Sequence, residues 1–168
     1  HFELYEYCLK KKIKFLSTPF DNDSIDFLDN LNMDFFKVPS GELTNKPYLE
    51  HIASKNKRII LSTGMANLNE IRDSLCVLNN SGIKKSEITS LHCSTNYPTP
   101  MIEVNLDAMN TIANEFNISV GYSDHTMGIE VPIAAVALGA KIIEKQFTIS
   151  RKLEGPDHIA SLEPSELT

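Results

Sequence analysis

The sequence predicts an α/β fold: a TIM (β/α)8 barrel, present as a fragment of about six βα units. Three observations predict it. Short β-rich runs alternate strictly with amphipathic helical stretches. The runs start roughly 20–30 residues apart, the density of a barrel whose eight units take about 250 residues. No glycine-rich fingerprint follows any run, which weighs against the other architecture compatible with the alternation, an open doubly wound sheet.

The elements follow in chain order. A helix-like stretch is already under way at His1, so an N-terminal part is expected to be missing. The first strand is expected at Ile13–Phe20, and the next helix has Ile25, Leu28 and Leu31 at helical spacing. The second strand run is Phe35–Glu42; Asn45 can then cap a helix with Pro47 in its first turn and Leu49, Ile52 and Ala53 on its apolar face. After the third run, Arg58–Met65, Asn67 with Glu70 reads as a capping box ahead of Ile71, Leu75 and Leu78, and Gly82 ends that helix. The fourth run is Ile88–Tyr97, followed by a stripe of Leu106, Met109, Ala113 and Phe116. The fifth is Ile118–Thr126, followed by Ile129, Ile133, Val136 and Ala140 with Pro132 in the opening turn. The sixth is Lys141–Thr148, and the polar tail Ser150–Thr168 reads as the loop after it. Each run begins apolar, as a buried parallel strand does, and most end in Ser, Thr, Gly, Asp or His.

Composition narrows the function classes. The chain has 168 residues, 42% hydrophobic and 23% charged, an ordinary globular balance. Sixteen basic against 22 acidic residues give a net charge of −6. With no basic excess to neutralise phosphates, nucleic acid is not an expected partner. No apolar run reaches the roughly 18 residues of a membrane span. Cys8, Cys76 and Cys93 form neither a CxxC pair nor a disulfide framework, so a reducing cytoplasm is the expected location.

Chemistry in a βα barrel gathers at the C-terminal ends of the strands. Here those ends collect Ser17 and Thr18; Lys37, Ser40 and Glu42; Ser62 and Thr63; His92, Ser94, Thr95, Asn96 and Tyr97; Ser123, Asp124 and His125; and Glu144, Lys145 and Gln146. Caps and turns explain one such cluster more readily than six in register. Lys37 interrupts an apolar strand, and a lysine inside a barrel is costly unless an anion meets it. With the hydroxyls of Thr18, Ser40 and Ser123 it can form an oxyanion or phosphate cradle; the alternative is a lysine reaching solvent or pairing with Glu42. His125 suits a divalent metal, with Asp124 or Glu144 behind it, and equally a hydrogen-bonded structural role. His92 reads as a packed strand-end histidine, and His1 and His51 as surface residues. Cys93 has no evident base partner and is not proposed as a nucleophile. Asp157 either closes a plain Gly-Pro-Asp turn or offers a carboxylate to sugar hydroxyls or as a base.

Read together, FLSTPF, FKVPSGELTN, IILSTGMA, LHCSTNYPTP, VGYSDHT, GAKIIEK and EGPDHIASLEP resemble the N-acetylneuraminate (sialic acid) synthase family, including the legionaminic-type synthases. These stretches recur in family order over nearly the whole chain. The resemblance implies a phosphoenolpyruvate-dependent carbon–carbon bond-forming transferase. Such enzymes condense phosphoenolpyruvate with N-acetylmannosamine or a related N-acyl hexosamine, giving a nonulosonic acid and phosphate. It implies a TIM barrel followed by a small antifreeze-like domain, a divalent cation (Mn²⁺ or Mg²⁺) and a homodimer. The chain, 1–168, would be a partial barrel lacking the first two βα units and that C-terminal domain, and inactive alone.

By motif, Thr18, Lys37, Ser40 and Ser123 would hold phosphoenolpyruvate, with Thr95 where several members have Asn. Glu42, Tyr97 and Asp157 would face the amino sugar, Lys37, Glu42 and Asp157 being the catalytic candidates. His125 would be one of two metal histidines. The second lies in Glu-Lys-His-(Phe/Tyr), where this chain has Glu144-Lys145-Gln146-Phe147. A Gln carbonyl oxygen is a weaker ligand for Mn²⁺-type ions than imidazole. A catalytically silent relative that binds phosphoenolpyruvate or a sugar is therefore the alternative.

Overall fold

The computed structural model describes residues 1–167; Thr168, the end of the expected tail, lies outside the described residues. Five strands form one sheet: β1 (Phe35–Val38), β2 (Arg58–Ser62), β3 (Ile88–Cys93), β4 (Ser119–Asp124) and β5 (Ile143–Lys145). Their spatial order is their chain order, and every neighbouring pair is parallel. Six helices accompany them: α1 (Phe2–Lys11), α2 (Asn22–Asn30), α3 (Lys46–Ala53), α4 (Leu68–Asn80), α5 (Asp107–Phe116) and α6 (Glu130–Ala137). From β1 onward, each strand-to-strand crossover carries one helix, which is half of a TIM-type barrel.

Alternation along each strand separates two faces. Phe36, Val38, Ile59, Leu61, Ile88, Val120 and Tyr122 meet the helices in one apolar core. Opposite them come Ile25 and Leu28 of α2, Leu49 and Ile52 of α3, Ile71, Leu75 and Leu78 of α4, and Met109, Ile112 and Phe116 of α5. The residues between them, among them Lys37, Ser62, Cys93 and Ser123, line the concave face. The expected caps form. Asn45 Oδ1 accepts from the Tyr48 amide, and Asn67 and Glu70 close a full capping box on α4.

Three expectations are corrected. Ile13–Phe20 is not a strand: it joins no ladder, so five strands stand where six were expected. Pro19 has no N–H to donate. Its carbonyl accepts from Tyr48 Oη at 2.9 Å, and Lys14 pairs with Asp34. Side chains hold this segment where a ladder would otherwise hold it. On α6 the buried face is Val131 and Ala135, while Ile133 (61% exposed) and Val136 (56%) point outward. Finally, the tail is more than a loop. Leu162 returns beside the end of β5 and makes a parallel bridge with Phe147, with the Thr148 amide donating to Leu162 O and the Leu162 amide to Gln146 O, both at 2.9 Å.

The upper ends of β4 and β5 are clasped. Lys145 Nζ lies 2.6 Å from Asp124 Oδ2, in a pair whose Asp is fully buried. Asp124 Oδ1 also accepts from the amide (3.0 Å) and hydroxyl (2.8 Å) of Thr126. Asp124 is thus committed to the scaffold. Gly121 permits the close approach beneath it, since a Cβ there would lie 2.3 Å from Ile142 O.

Candidate active site at the strand ends

A cavity of about 240 Å³ opens at the C-terminal ends of the strands. β1 places Lys37 in it, only 5% exposed, and the turn after β1 places Ser40 there. β2 adds Ser62, and the end of β3 adds Cys93, Thr95 and Tyr97. β4 adds Ser123 and His125, and β5 adds Glu144.

The polar contacts are specific. Lys37 Nζ stands 3.1 Å from Glu144 Oε2 and 3.3 Å from Oε1. Ser123 Oγ donates to Glu144 Oε1 at 2.7 Å. Glu144 is half-exposed, so one carboxylate spans the buried cation and a hydroxyl at the cavity's open side. Ser40 Oγ accepts from the Gly64 amide at 2.9 Å and lies 3.4 Å from Cys93 Sγ. Ser62 Oγ is buried with no hydrogen-bond partner among the described residues. One buried ammonium among the hydroxyls of Ser40, Ser62 and Ser123 is an arrangement with the chemistry to bind a small anion such as a phosphate or carboxylate.

His125 is held on two sides. Its Nδ1 lies 2.6 Å from Ser94 O, and its ring stacks on Tyr97 with centroids 3.9 Å apart and planes 29° apart. A carbonyl oxygen only accepts, so Nδ1 carries a proton; in the neutral ring that leaves the Nε2 lone pair, the tautomer that metal-binding imidazoles use. Burial chiefly raises the Tyr97 phenol above its usual range, helped by the charges of Cys93, Asp157 and Glu144.

Six of the ten candidate residues line this cavity: Lys37, Ser40, Thr95, Tyr97, Ser123 and His125. Thr18 is half-buried in the unpaired segment before α2. Glu42 accepts from Asn45 Nδ2 at 2.7 Å, facing the start of α3. Asp157 is exposed, within electrostatic reach of Tyr97. Gln146 lies outside the lining, and its Oε1 is buried without a partner among the described residues. His125 Nε2 and Gln146 Oε1 are a nitrogen and an oxygen donor of the types that divalent cations take, the first in the cavity lining and the second outside it. Among the described residues no three His, Cys, Asp or Glu side chains converge on a metal position.

The sequence places Ser62 and Glu144 at strand ends, Glu144 as a carboxylate behind His125, without assigning either to the anion cradle. Ser62 shares its face of the sheet with Ile60, two residues back along β2. The contact of Glu144 with Lys37 and Ser123 is not readable from the sequence, because those partners lie on β1 and β4. His92 is half-buried outside the cradle against the Tyr122 ring, as expected of a packed histidine. No helix among the described residues is long and apolar enough to cross a membrane.

The comparisons with known proteins agree with this architecture. The chain is 58% identical over 167 residues to the N,N'-diacetyllegionaminic acid synthase of Campylobacter jejuni, covering 99% of this chain and 50% of that protein. It is 50% identical over 169 residues to the protein of the same name from Legionella pneumophila, covering 99% and 48%. The crystal structure of an N-acetylneuraminic acid synthetase from Leptospira borgpetersenii, in complex with citrate, superposes with a TM-score of 0.91 at 39% identity, over 98% of this chain and 56% of that one. The chain spans about half the length of the relatives it matches. The NeuB family model matches residues 1–168, and with that match over the whole length the chain belongs to the NeuB family.

Proposed function

We propose that this chain forms the phosphoenolpyruvate-binding part of a nonulosonic acid synthase. The reaction joins phosphoenolpyruvate to N-acetylmannosamine or a related N-acyl hexosamine, consumes water and releases phosphate. One observation carries the reading: a buried lysine set among three serine hydroxyls at the strand ends, in a chain of this family. C3 of phosphoenolpyruvate attacks the aldehyde carbon of the open-chain sugar, water adds at C2, and phosphate leaves.

Lys37, Ser40 and Ser123 would hold the phosphoryl group against the charge that gathers there, with Thr18 and Thr95 at its flanks. Glu144, which meets Lys37 and Ser123, would yield those partners to the substrate. Tyr97 would orient the sugar from its stack on His125, and Glu42 and Asp157 would bind its hydroxyls or move a proton. His125 through Nε2 and Gln146 through Oε1 would hold a divalent cation, Mn²⁺ or Mg²⁺, which when bound supplies Lewis-acid polarisation of the aldehyde. The whole protein would act as a cytoplasmic homodimer with a small C-terminal domain.

Gln146 favours a second reading, a silent relative that binds phosphoenolpyruvate or a sugar without turnover. The test is phosphate release from phosphoenolpyruvate and N-acetylmannosamine with Mn²⁺, in a chain extended to the length of its relatives. It is run with Gln146 and with Gln146→His. Turnover by the Gln form supports the synthase reading. Turnover only after Gln146→His supports the silent one. No phosphate release by either form, with related N-acyl hexosamines also tried, overturns both the activity and the substrate pair.

A further inference from the structure

The turn after β2 reads Ser62-Thr63-Gly64-Met65, and its one glycine is not where the backbone asks for one. Met65 carries φ +62°, in the left-handed region that favours glycine. Gly64 does not lie in that region. Its lack of a side chain answers a need for space. A Cβ at Gly64 would stand 2.9 Å from Ser40 Oγ, 2.9 Å from Thr95 Cγ2 and 3.0 Å from Cys93 Sγ. All three groups line the strand-end cavity. The backbone has little freedom to retreat, because the Thr63 amide and hydroxyl both donate to Leu91 O, at 3.0 and 3.1 Å.

The Gly64 amide makes a second contribution. Its N–H donates to Ser40 Oγ at 2.9 Å. That bond fixes where the oxygen sits and occupies one of its lone pairs. The competing neighbour of the hydroxyl is Cys93 Sγ at 3.4 Å, a weak partner. The Ser40 O–H is therefore free to turn toward an anion beside Lys37.

We propose that Gly64 is the positioning residue of the anion cradle: its amide anchors the Ser40 hydroxyl, and its missing side chain lets Ser40, Thr95 and Cys93 converge. The inference rests on the reading that this cavity takes the phosphoryl group of phosphoenolpyruvate.

The experiment measures Kd for inorganic phosphate and for phosphoenolpyruvate by calorimetry, in the extended chain. Gly64→Ala is expected to weaken both by about tenfold or more, since a displacement approaching 1 Å in a positioning group is costly. In turnover, the KM for phosphoenolpyruvate should rise by a similar factor while that for the amino sugar stays within about twofold, a split that general loosening does not produce. Met65→Gly, which relaxes the same turn, is expected to leave both Kd values unchanged. In a Ser40→Ala background, where the displaced oxygen is gone, Gly64→Ala should cost less than about threefold, and this pair also relieves the crowding should the single variant fold poorly. Equal Kd values for parent and Gly64→Ala, or the same loss in both backgrounds, would overturn the positioning role alone. A parent chain that binds neither anion would overturn the cradle reading and this inference with it.

Discussion

The ammonium of Lys37 sits inside a parallel sheet, and its desolvation is offset by Glu144 and by no other acid among the described residues. Glu144 therefore competes with any anion that enters. Glu144→Gln removes the competing charge, and phosphate is expected to bind about tenfold more tightly, a change of about 1.4 kcal/mol. Weaker phosphate binding by Glu144→Gln would show that the carboxylate supports the cradle rather than filling it. His92, on the helix side of the same strand ends, has a different consequence. Burial lowers its pKa, with a hydrogen bond to the Asn105 backbone acting in the opposite direction. Tyr122 packs on the ring and Asp107 of α5 lines the same groove. Below about pH 6.5 the unfolded chain binds a proton that folded His92 refuses. Stability is then full above pH 6.5 and falls as the pH drops toward the lowered value. Urea midpoints between pH 7.5 and 5.0 read this out, and His92→Gln should flatten that part of the profile. An unchanged slope in the variant would assign the acid sensitivity to other groups. Lys37, His125 and Glu144 could all be placed at strand ends from sequence; the contact of Glu144 with Lys37 and Ser123 could not, because those partners lie 107 and 21 positions away.

Helices α2 to α5 could be read from sequence because what defines them is local. On α2, α3 and α4 a cap and its amide lie within three residues, and on all four an apolar stripe repeats each turn. Helix α6 offers no such stripe. Val131, Ile133, Ala134, Ala135, Val136 and Ala137 surround it with apolar side chains, so periodicity cannot say which face turns inward. Tertiary packing selects Val131 and Ala135. The two faces should respond differently to substitution. Ala135→Leu forces methyl groups against a closed core and is expected to destabilise by about 1–3 kcal/mol. Val136→Ser changes an exposed site and is expected to stay within about 0.5 kcal/mol of the parent. Urea unfolding of the two variants decides it, and the reverse ranking would restore the face that the sequence suggested. The segment Ile13–Phe20 fails for a related reason. Its apolar, β-branched start reads as a strand, but a strand exists only by pairing, and the pairing partner is not a local property.

The curvature of the sheet brings the site together. Strands stand about 4.8 Å apart in a sheet, so flat packing would hold β1 and β5 about 19 Å from each other, beyond the combined reach of a lysine and a glutamate. Yet Lys37 on β1 and Glu144 on β5 are 3.1 Å apart, and Phe35 and Ile142 line one cavity nearer the other end of the strands. The sheet therefore curls as a barrel wall does, and the first and last strands face each other across its concave side. This convergence is testable without any ligand. Lys37→Met and Glu144→Gln, measured singly and together for unfolding free energy, form a double-mutant cycle. Residues about 19 Å apart would add within about 0.5 kcal/mol. Contact across the concavity predicts a coupling of about 1 kcal/mol, kept modest because the Glu144 side chain is 42% exposed and partly screened. The coupling should shrink in 1 M NaCl, while the apolar core that holds the curl stays intact. Additive effects at both salt concentrations would mean that the two strands do not face one another in solution.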